Sequence, residues 1–461
     1  MPVWLPALAA ASALAAPNLV LISLDTTRAD ALSCYGTVPG AAKNLPPATP
    51  VIDAIAAEGV RFEHFFANAP TTLSSHSTML TGLDPHGHAV VRNGFPLDAR
   101  FPTLTERLSA AGYDTIGVVG SAALESAMGL DRGFRVYDDQ IDEVLGHVYQ
   151  DRASRVVDRT LAQLDAAEKG KPLFLFVHFY DAHTPYEAPD EHRDRFTDPA
   201  YTGVWGDSRL KYKPLIEAVK DESADPADVQ FVAGRYVGEV AYVDGQVGRL
   251  VDELGRRKLL ENAVLVITAD HGENLTDFPF FAYSHGSDVG YGAMHIPLVM
   301  RAYGVPMAER AVVERQAAMS GLAPTLEAAL GLPITLPGHD FWDLVRPGPV
   351  WDEDGWPERS TRPAYLEATR PRSLEPESGW NNVVFFRGLW SGGQGVFGAP
   401  VYNLDYDFYD ESEVRDPAVI PLLKAQMAAW DADVPERQEP YVAPETEKAL
   451  EALGYREPEE K

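Results

Sequence analysis

Nearly continuous apolar runs punctuate the chain at Asn18 to Ser23, Asp114 to Val119, Pro172 to Phe179, Ala263 to Thr268 and Ile296 to Arg301. They do not alternate with polar residues. A strand that buries both faces reads this way, which is the habit of parallel sheets covered by helices on both sides. Helical signals separate the runs. Thr49-Pro50 predicts an N-cap followed by proline at the first helical position, with Gly59 as the stop. Thr103 and Glu106 form a capping-box pattern before a helix ending at Gly112. Longer helical stretches run from Tyr149 to Glu168 and from Val240 to Arg257. The alternation predicts an α/β fold, a mainly parallel sheet sandwiched by helices, with chemically active groups at the strand ends.

The pattern breaks after Asp340. From there to Ser378 the chain is rich in Pro, Gly, Trp and charge, without periodicity, and reads as a connection. Asn382 to Leu389 and Gln394 to Leu404 then read as two or three antiparallel strands, followed by an acidic turn and a terminal helix near Pro444 to Gly454. The expected organisation is a catalytic domain over 17–360 and a C-terminal subdomain over 361–461 holding a small antiparallel sheet. Residues 1–16 are apolar, too short to span a bilayer, and end in the Ala-rich pattern that signal peptidase accepts, though without a basic n-region. A signal peptide would send the chain to the periplasm or outside the cell; a plain Ala-rich tail would leave it in the cytoplasm. No later run is long and apolar enough for an integral membrane segment.

Composition narrows the chemistry. With 461 residues, 45% of them hydrophobic, the chain can bury a sizeable core. Its single cysteine, Cys34, excludes an intramolecular disulfide and any CxxC site, so metal ligands must come from Asp, Glu and His. A net charge of -29 argues against nucleic acid as a partner. An anionic substrate would need a local positive centre, and a bound divalent cation is one.

Acidic or histidine-bearing segments follow the strand candidates. LISLDTTRAD places Asp25 just past the first, FVHFYDAHTPY brings His178, Asp181 and His183, and VLVITADHGE brings Asp270, His271 and Glu273. Singly, such an Asp is often only a helix N-cap, and a lone His is more often a satisfied core or surface residue. Together they converge on one sheet edge, and the mixed O and N set suits Zn or Mn ahead of Ca or Mg. The hydroxyl-rich APTTLSSHSTMLTG, residues 69–82, could be a polar loop leading into a helix. A hydroxyl there would also have helix N–H groups beside it, suited to a phosphate or sulfate oxyanion.

These motifs, with TPVIDAIAAEGVRFEHFFANAPTTLSSHSTMLTGLDPHGHAVVRNG, GLDRGFRVYDD, VYNLDYDFYDESEV and ALEALGY in order, resemble the sulfatase family of the alkaline phosphatase superfamily. The resemblance implies that Asp25, Asp270 and His271 hold one divalent metal and that Thr72 is both nucleophile and metal ligand. Most sulfatases have at that position a cysteine or serine, converted to formylglycine within a C/S-x-P-x-R sequence. Thr72, Leu73, Ser74, Ser75 and His76 depart from it, and threonine cannot become formylglycine. His76 stands in place of the motif arginine. Asn93, with Arg92 beside it, matches an asparagine that contacts the transferred group, and His183 matches a histidine facing the leaving group. His285, in YSHG, matches a histidine of members with a threonine nucleophile. With Asp181, His183 and His285 could complete a partial second metal site. His271 stands where sulfatases often have Asn and phosphorus-specific members have His.

The segment 275–295 lacks the usual GEHG and YE motifs, His295 replaces an arginine, and the usual active-site lysines have no counterpart. The implied function is metal-dependent hydrolysis of a small-molecule, glycan or lipid-head anionic ester through a covalent Thr72 intermediate, with phosphoester or phosphonate favoured over sulfate. Transfer of a phosphoryl group on the same fold, or binding without chemistry, are the alternatives.

Overall fold

The computed structural model describes residues 16–42, 46–90, 92–141, 144–145, 148–204, 213–277, 282–287, 289–347, 364–369, 384–390, 401–403 and 408–410. Within them the apolar runs form the middle of one sheet. Its strands in chain order are β1 (Asn18–Leu24), β2 (Val60–Phe62), β3 (Asp114–Val119), β4 (Val136–Asp138), β5 (Leu173–Phe179), β6 (Ala263–Ala269), β7 (Leu298–Tyr303) and β8 (Ala311–Val313). They are arranged β8-β2-β7-β6-β1-β5-β3-β4. Central β1 runs parallel to β5 and β6, with Ile22 opposite both Val177 and Ile267. Strand β7 runs antiparallel to β6 and β2, while the other pairings are parallel. Strands β3, β5 and β6 are buried along their whole length, which explains their unbroken hydrophobicity.

Two helices begin and end close to the signals read from the sequence. Helix α1 (Pro50–Glu58) has Thr49 at its N-cap and Gly59 at its C-cap, and α3 (Leu104–Ala110) carries the Thr103/Glu106 capping box; α2 (Thr72–Thr81) lies between them. Two helices differ from expectation. Helix α4 spans Ala153–Asp165 rather than Tyr149 to Glu168, because the Asp181 carboxylate accepts the Ala153 N–H at 3.1 Å and fixes the first turn there. Helix α5 runs from Pro226 to Arg256, far upstream of Val240, with Asp225 capping the Ala227 N–H. Its stretch from Phe231 to Asp244 is buried throughout, so it shows no amphipathic stripe.

A second sheet contains β9 (Ala364–Thr369), β10 (Val384–Trp390), β11 (Val401–Asn403) and β12 (Phe408–Asp410), paired antiparallel in that order. The antiparallel sheet is as expected, but the stretch read as a connection supplies its first strand. Strand β9 packs on the main body: Asn68 Nδ2 donates to the Tyr365 carbonyl at 2.7 Å, and the Glu367 N–H donates to the Asn68 carbonyl at 3.0 Å. Residues 1–15 of the signal segment expected over 1–16, and the helix expected near Pro444 to Gly454, lie outside the described residues. No described helix is long and apolar enough to cross a membrane.

Candidate active site

Strand register builds the site. Leu24 of β1 pairs with Ala269 of β6 and with Phe179 of β5, so the residues that follow emerge together at one sheet edge. Asp25, Asp270 and His271 thereby converge, with ligand atoms within 4.8 Å of one another. All three are buried.

Their hydrogen bonds leave particular atoms over. Asp270 Oδ1 accepts the N–H groups of Thr26 at 3.1 Å and His271 at 2.7 Å. Asp270 Oδ2 has no hydrogen-bond partner. The Gly272 carbonyl, 2.9 Å from His271 Nδ1, can only accept, so Nδ1 carries the proton and Nε2 keeps its lone pair. That Nε2 is also without a partner and lies 3.5 Å from Asp270 Oδ2. On the other side Asp25 accepts from the Thr26 hydroxyl and from His178 Nε2 at 3.1 Å, while His178 Nδ1 accepts the Gly120 N–H at 3.4 Å.

Burial pushes the Asp25 carboxyl up to about 6 against the lowering effect of its hydrogen bonds. Burial and then the neighbouring Asp25 raise Asp270 well above the usual carboxylate range. Burial, with His285 nearby, depresses His271 well below the usual imidazole range. Two crowded carboxylates and a neutral imidazole with its lone pair free form a donor set that a divalent cation fits.

Thr72 begins α2 beside this cluster, close enough to the Asp25 carboxyl to help lower its pKa. The helix is seated from below by Ser75, whose hydroxyl donates to the Asp270 carbonyl at 2.6 Å. Asn93 turns its Oδ1 to the Leu73 N–H at 2.8 Å, which leaves its amide hydrogens for another partner. Arg92 is buried next to it, its guanidinium 5.9 Å from the Phe95 ring centre. His76 lies within α2 and is fully buried. Its Nδ1 donates to the Thr72 backbone carbonyl at 2.7 Å, one helical turn back, and its Nε2 accepts from the Ser23 hydroxyl at 2.9 Å. Both ring nitrogens are thus used, and Nδ1 also lies 3.6 Å from Asp270 Oδ2.

His183 and His285 lie above the metal-type cluster, partly exposed, with ring centres 4.9 Å apart; the His285 centre is 4.6 Å from that of His271. His183 Nδ1 donates to the Thr184 carbonyl at 2.7 Å, its ring stacks on Tyr180 at 4.4 Å, and burial with His285 nearby pushes it down to about 3. His285 Nδ1 lies 3.2 Å from Glu273 Oε1. Burial lowers the His285 ring, but Glu273, with Asp25 and Asp270 beyond, outweighs it and raises the ring to about 9. Glu273 Oε2 in turn accepts from the Tyr186 hydroxyl at 3.0 Å.

Asp181 does not join these histidines. Its carboxylate caps α4. Tyr186 is the residue that inspection of the sequence passes over; its place in HTPY, just after His183, was the available signal.

Residues 17–332 match the sulfatase family. The chain belongs to the sulfatase family. The chain is similar to an arylsulfatase of Clostridium perfringens, 23% identical over 322 residues, 58% of this chain and 65% of that one. A multifunctional alkaline phosphatase superfamily protein of Trinickia caryophylli is 23% identical over 359 residues, covering 62% of this chain and 68% of that one. The chain thus spans about two thirds of these relatives' length. Among solved structures, the phosphonate monoester hydrolase of Agrobacterium radiobacter superposes with a TM-score of 0.63 at 22% identity, over 91% of this chain and 96% of that one. A protein solved in complex with its substrate D-glucosamine-2-N,6-O-disulfate superposes with a TM-score of 0.60 at 18% identity, over 97% and 100% of the two chains. Sulfatases and phosphonate hydrolases therefore share this α/β architecture.

Proposed function

We propose that this sulfatase-family member hydrolyses phosphoric, phosphonic and sulfuric esters through a covalent ester on Thr72, and that it prefers phosphorus to sulfur. The observation carrying this is Thr72 at the head of α2, close enough to Asp25 to help lower its pKa, beside a buried donor set. Asp25, Asp270 and His271 would hold one divalent cation, which lowers the pKa of an adjacent hydroxyl and neutralises a non-bridging oxygen.

The chain's own groups supply the rest. Thr72 Oγ attacks phosphorus as the ester oxygen departs, and a histidine above the site protonates the departing oxygen. The amide hydrogens of Asn93, whose Oδ1 already takes the Leu73 N–H, bind the remaining oxygens beside the positive end of α2. Water then hydrolyses the threonyl ester.

The preference for phosphorus follows from the nucleophile. A sulfated formylglycine sheds sulfate through its second hydroxyl by carbon–oxygen cleavage, and a threonine sulfate has no such exit. A threonine phosphate is open to direct attack by water on phosphorus. The test is a set of matched aryl phosphate mono- and diesters, phosphonates and sulfates, assayed with Zn or Mn. Sulfate esters leading by more than about tenfold in kcat/KM, roughly 1.4 kcal/mol of transition-state stabilisation, would overturn the preference.

A further inference from the structure

Arg28 follows Asp25 by three residues, is buried, and takes no part in the chemistry described so far. Its guanidinium makes five hydrogen bonds, as many as it has N–H groups. Nε and Nη2 donate to the two Asp30 oxygens, both at 2.7 Å, and Nη1 and Nη2 to the two Asp277 oxygens at 2.6 and 3.1 Å. Nη1 also donates to the Glu273 carbonyl at 2.9 Å. Tyr236 of α5 fixes the backbone from the other side, since its hydroxyl accepts the Arg28 N–H at 3.0 Å and donates to the Thr26 carbonyl at 2.9 Å. The turn Tyr291–Met294 closes over the guanidinium so tightly that a Cβ on Gly292 would collide with Arg28 Nη1 and Asp277 Oδ2. Asp277 carries this anchor toward the site. It ends an arm, 274–277, that pairs antiparallel with 282–285: Asn274 and Ser284 exchange N–H···O bonds at 3.1 and 3.2 Å, and the Tyr283 N–H donates to the Leu275 carbonyl at 3.0 Å. His285 closes the second arm. Gly286 after it lies against the residue preceding Thr72, where a Cβ would touch Thr71 Cγ2 at 3.3 Å.

We propose that Arg28 and Asp277 are positioning residues for His285, tying the arm 274–277 to the end of β1 so that the paired arm holds the ring at a fixed height over Asp25, Asp270 and His271. This rests on ester hydrolysis through Thr72, with His285 meeting an oxygen of the bound ester. The guanidinium is the part that a lysine cannot replace, because three donors on a point charge cannot hold two carboxylates and a carbonyl in one planar arrangement. Arg28 is matched at contact distance by two carboxylates, Asp30 and Asp277. Its service to the site is therefore geometric: it joins the loop after β1 to the loop after β6, the two loops that supply the metal-type residues, and Gly292 keeps clear the space in which they join.

A double-mutant cycle tests it. Arg28→Lys, Asp277→Ala and Gly292→Ala are each made in wild type and in a His285→Ala background, and kcat, KM, metal content and melting temperature are measured on an aryl phosphonate ester with Zn or Mn. Misplacing a group by about 1 Å costs on the order of a hundredfold, so each substitution is expected to lower kcat by about tenfold to a hundredfold in wild type, with metal content retained. With His285 already removed, the same substitutions should cost less than about twofold, because residues that act through one ring do not add to its loss. A merely structural role would lower the melting temperature and cost the same factor in both backgrounds. Equal losses in the two backgrounds overturn the proposal, as does wild-type kcat in Asp277→Ala or in His285→Ala. Metal lost in proportion to activity overturns it too, since the anchor would then serve the metal ligands instead. Should Arg28→Lys or Asp277→Ala not fold, Gly292→Ala, which removes no charge, carries the comparison. Failure of the underlying function would look different: Thr72→Ala would then match wild type on every ester.

Discussion

Replacing Asp270 by Asn should uncouple stability from metal in a direction that reveals what the buried cluster is for. The substitution keeps an Oδ1 to accept the N–H groups of Thr26 and His271, and converts the unpartnered Oδ2 into an amide nitrogen facing the unpartnered His271 Nε2, a separation of 3.5 Å in the parent. Without metal, the parent keeps Asp270 protonated rather than hold a second carboxylate charge within 4.8 Å of Asp25. Its two orphaned polar atoms cost roughly 1 to 3 kcal/mol each. The metal-free Asn variant should therefore be more stable than metal-free parent, by about 2 kcal/mol. With free metal at a thousand times its Kd the parent gains about 4 kcal/mol and the variant almost nothing. For a chain of this size that is roughly 4 °C in Tm. Thermal melts with chelator and with added Zn or Mn, paired with metal analysis, make the comparison. A parent Tm indifferent to chelator, together with an Asn variant less stable under both conditions, would refute the assignment of these residues to metal.

Asp244 gives a pH-dependent counterpart far from the site. It accepts the N–H groups of Val51 and Ile52 at 3.1 and 2.8 Å, and burial raises it to about 6. A raised carboxyl opposes folding once ionised, so its neutral form is tolerated below the usual range near 4 and stability falls as pH rises through about 6. Asp244→Asn should gain on wild type by about 1.4 kcal/mol between pH 5 and pH 7.5 in urea melts, and a gain in the opposite direction would show the burial cost to be misjudged. Asn68→Ala removes the donor to the Tyr365 carbonyl and the acceptor at 3.0 Å for the Ser320 N–H. It should cost about 2 to 3 kcal/mol in urea melts, and an unchanged stability would mean that β9 is held by other contacts.

The centre of the fold was legible because parallel strands buried on both faces carry their burial as unbroken hydrophobicity, and because proline, glycine and capping boxes mark helix ends chemically. Helix α5 was legible only in part: where a helix is buried all round, its period disappears. The connection expected over Asp340 to Ser378 holds β9 because six residues between Pro- and charge-rich neighbours carry too little pattern to stand out. At the site, the metal-type residues were legible from their place at strand ends, since strand register alone brings Asp25 beside Asp270. What each ring nitrogen faces was not. His76 occupies the position of a motif arginine, yet helix geometry turns its Nδ1 to the Thr72 carbonyl four residues back. Tyr186 reaches Glu273 across 87 residues of sequence, a pairing no local spacing announces.

The central claim is a covalent ester on Thr72, and acid quenching during turnover of an aryl phosphonate or phosphodiester, followed by intact and peptide mass spectrometry, tests it most directly. The account expects the adduct mass on the peptide containing Thr72, present in wild type, accumulating when the second step is slowed, and absent from Thr72→Ala, whose turnover falls by about 10³-fold or more. Turnover in Thr72→Ala equal to wild type, or an adduct on another residue, would contradict it.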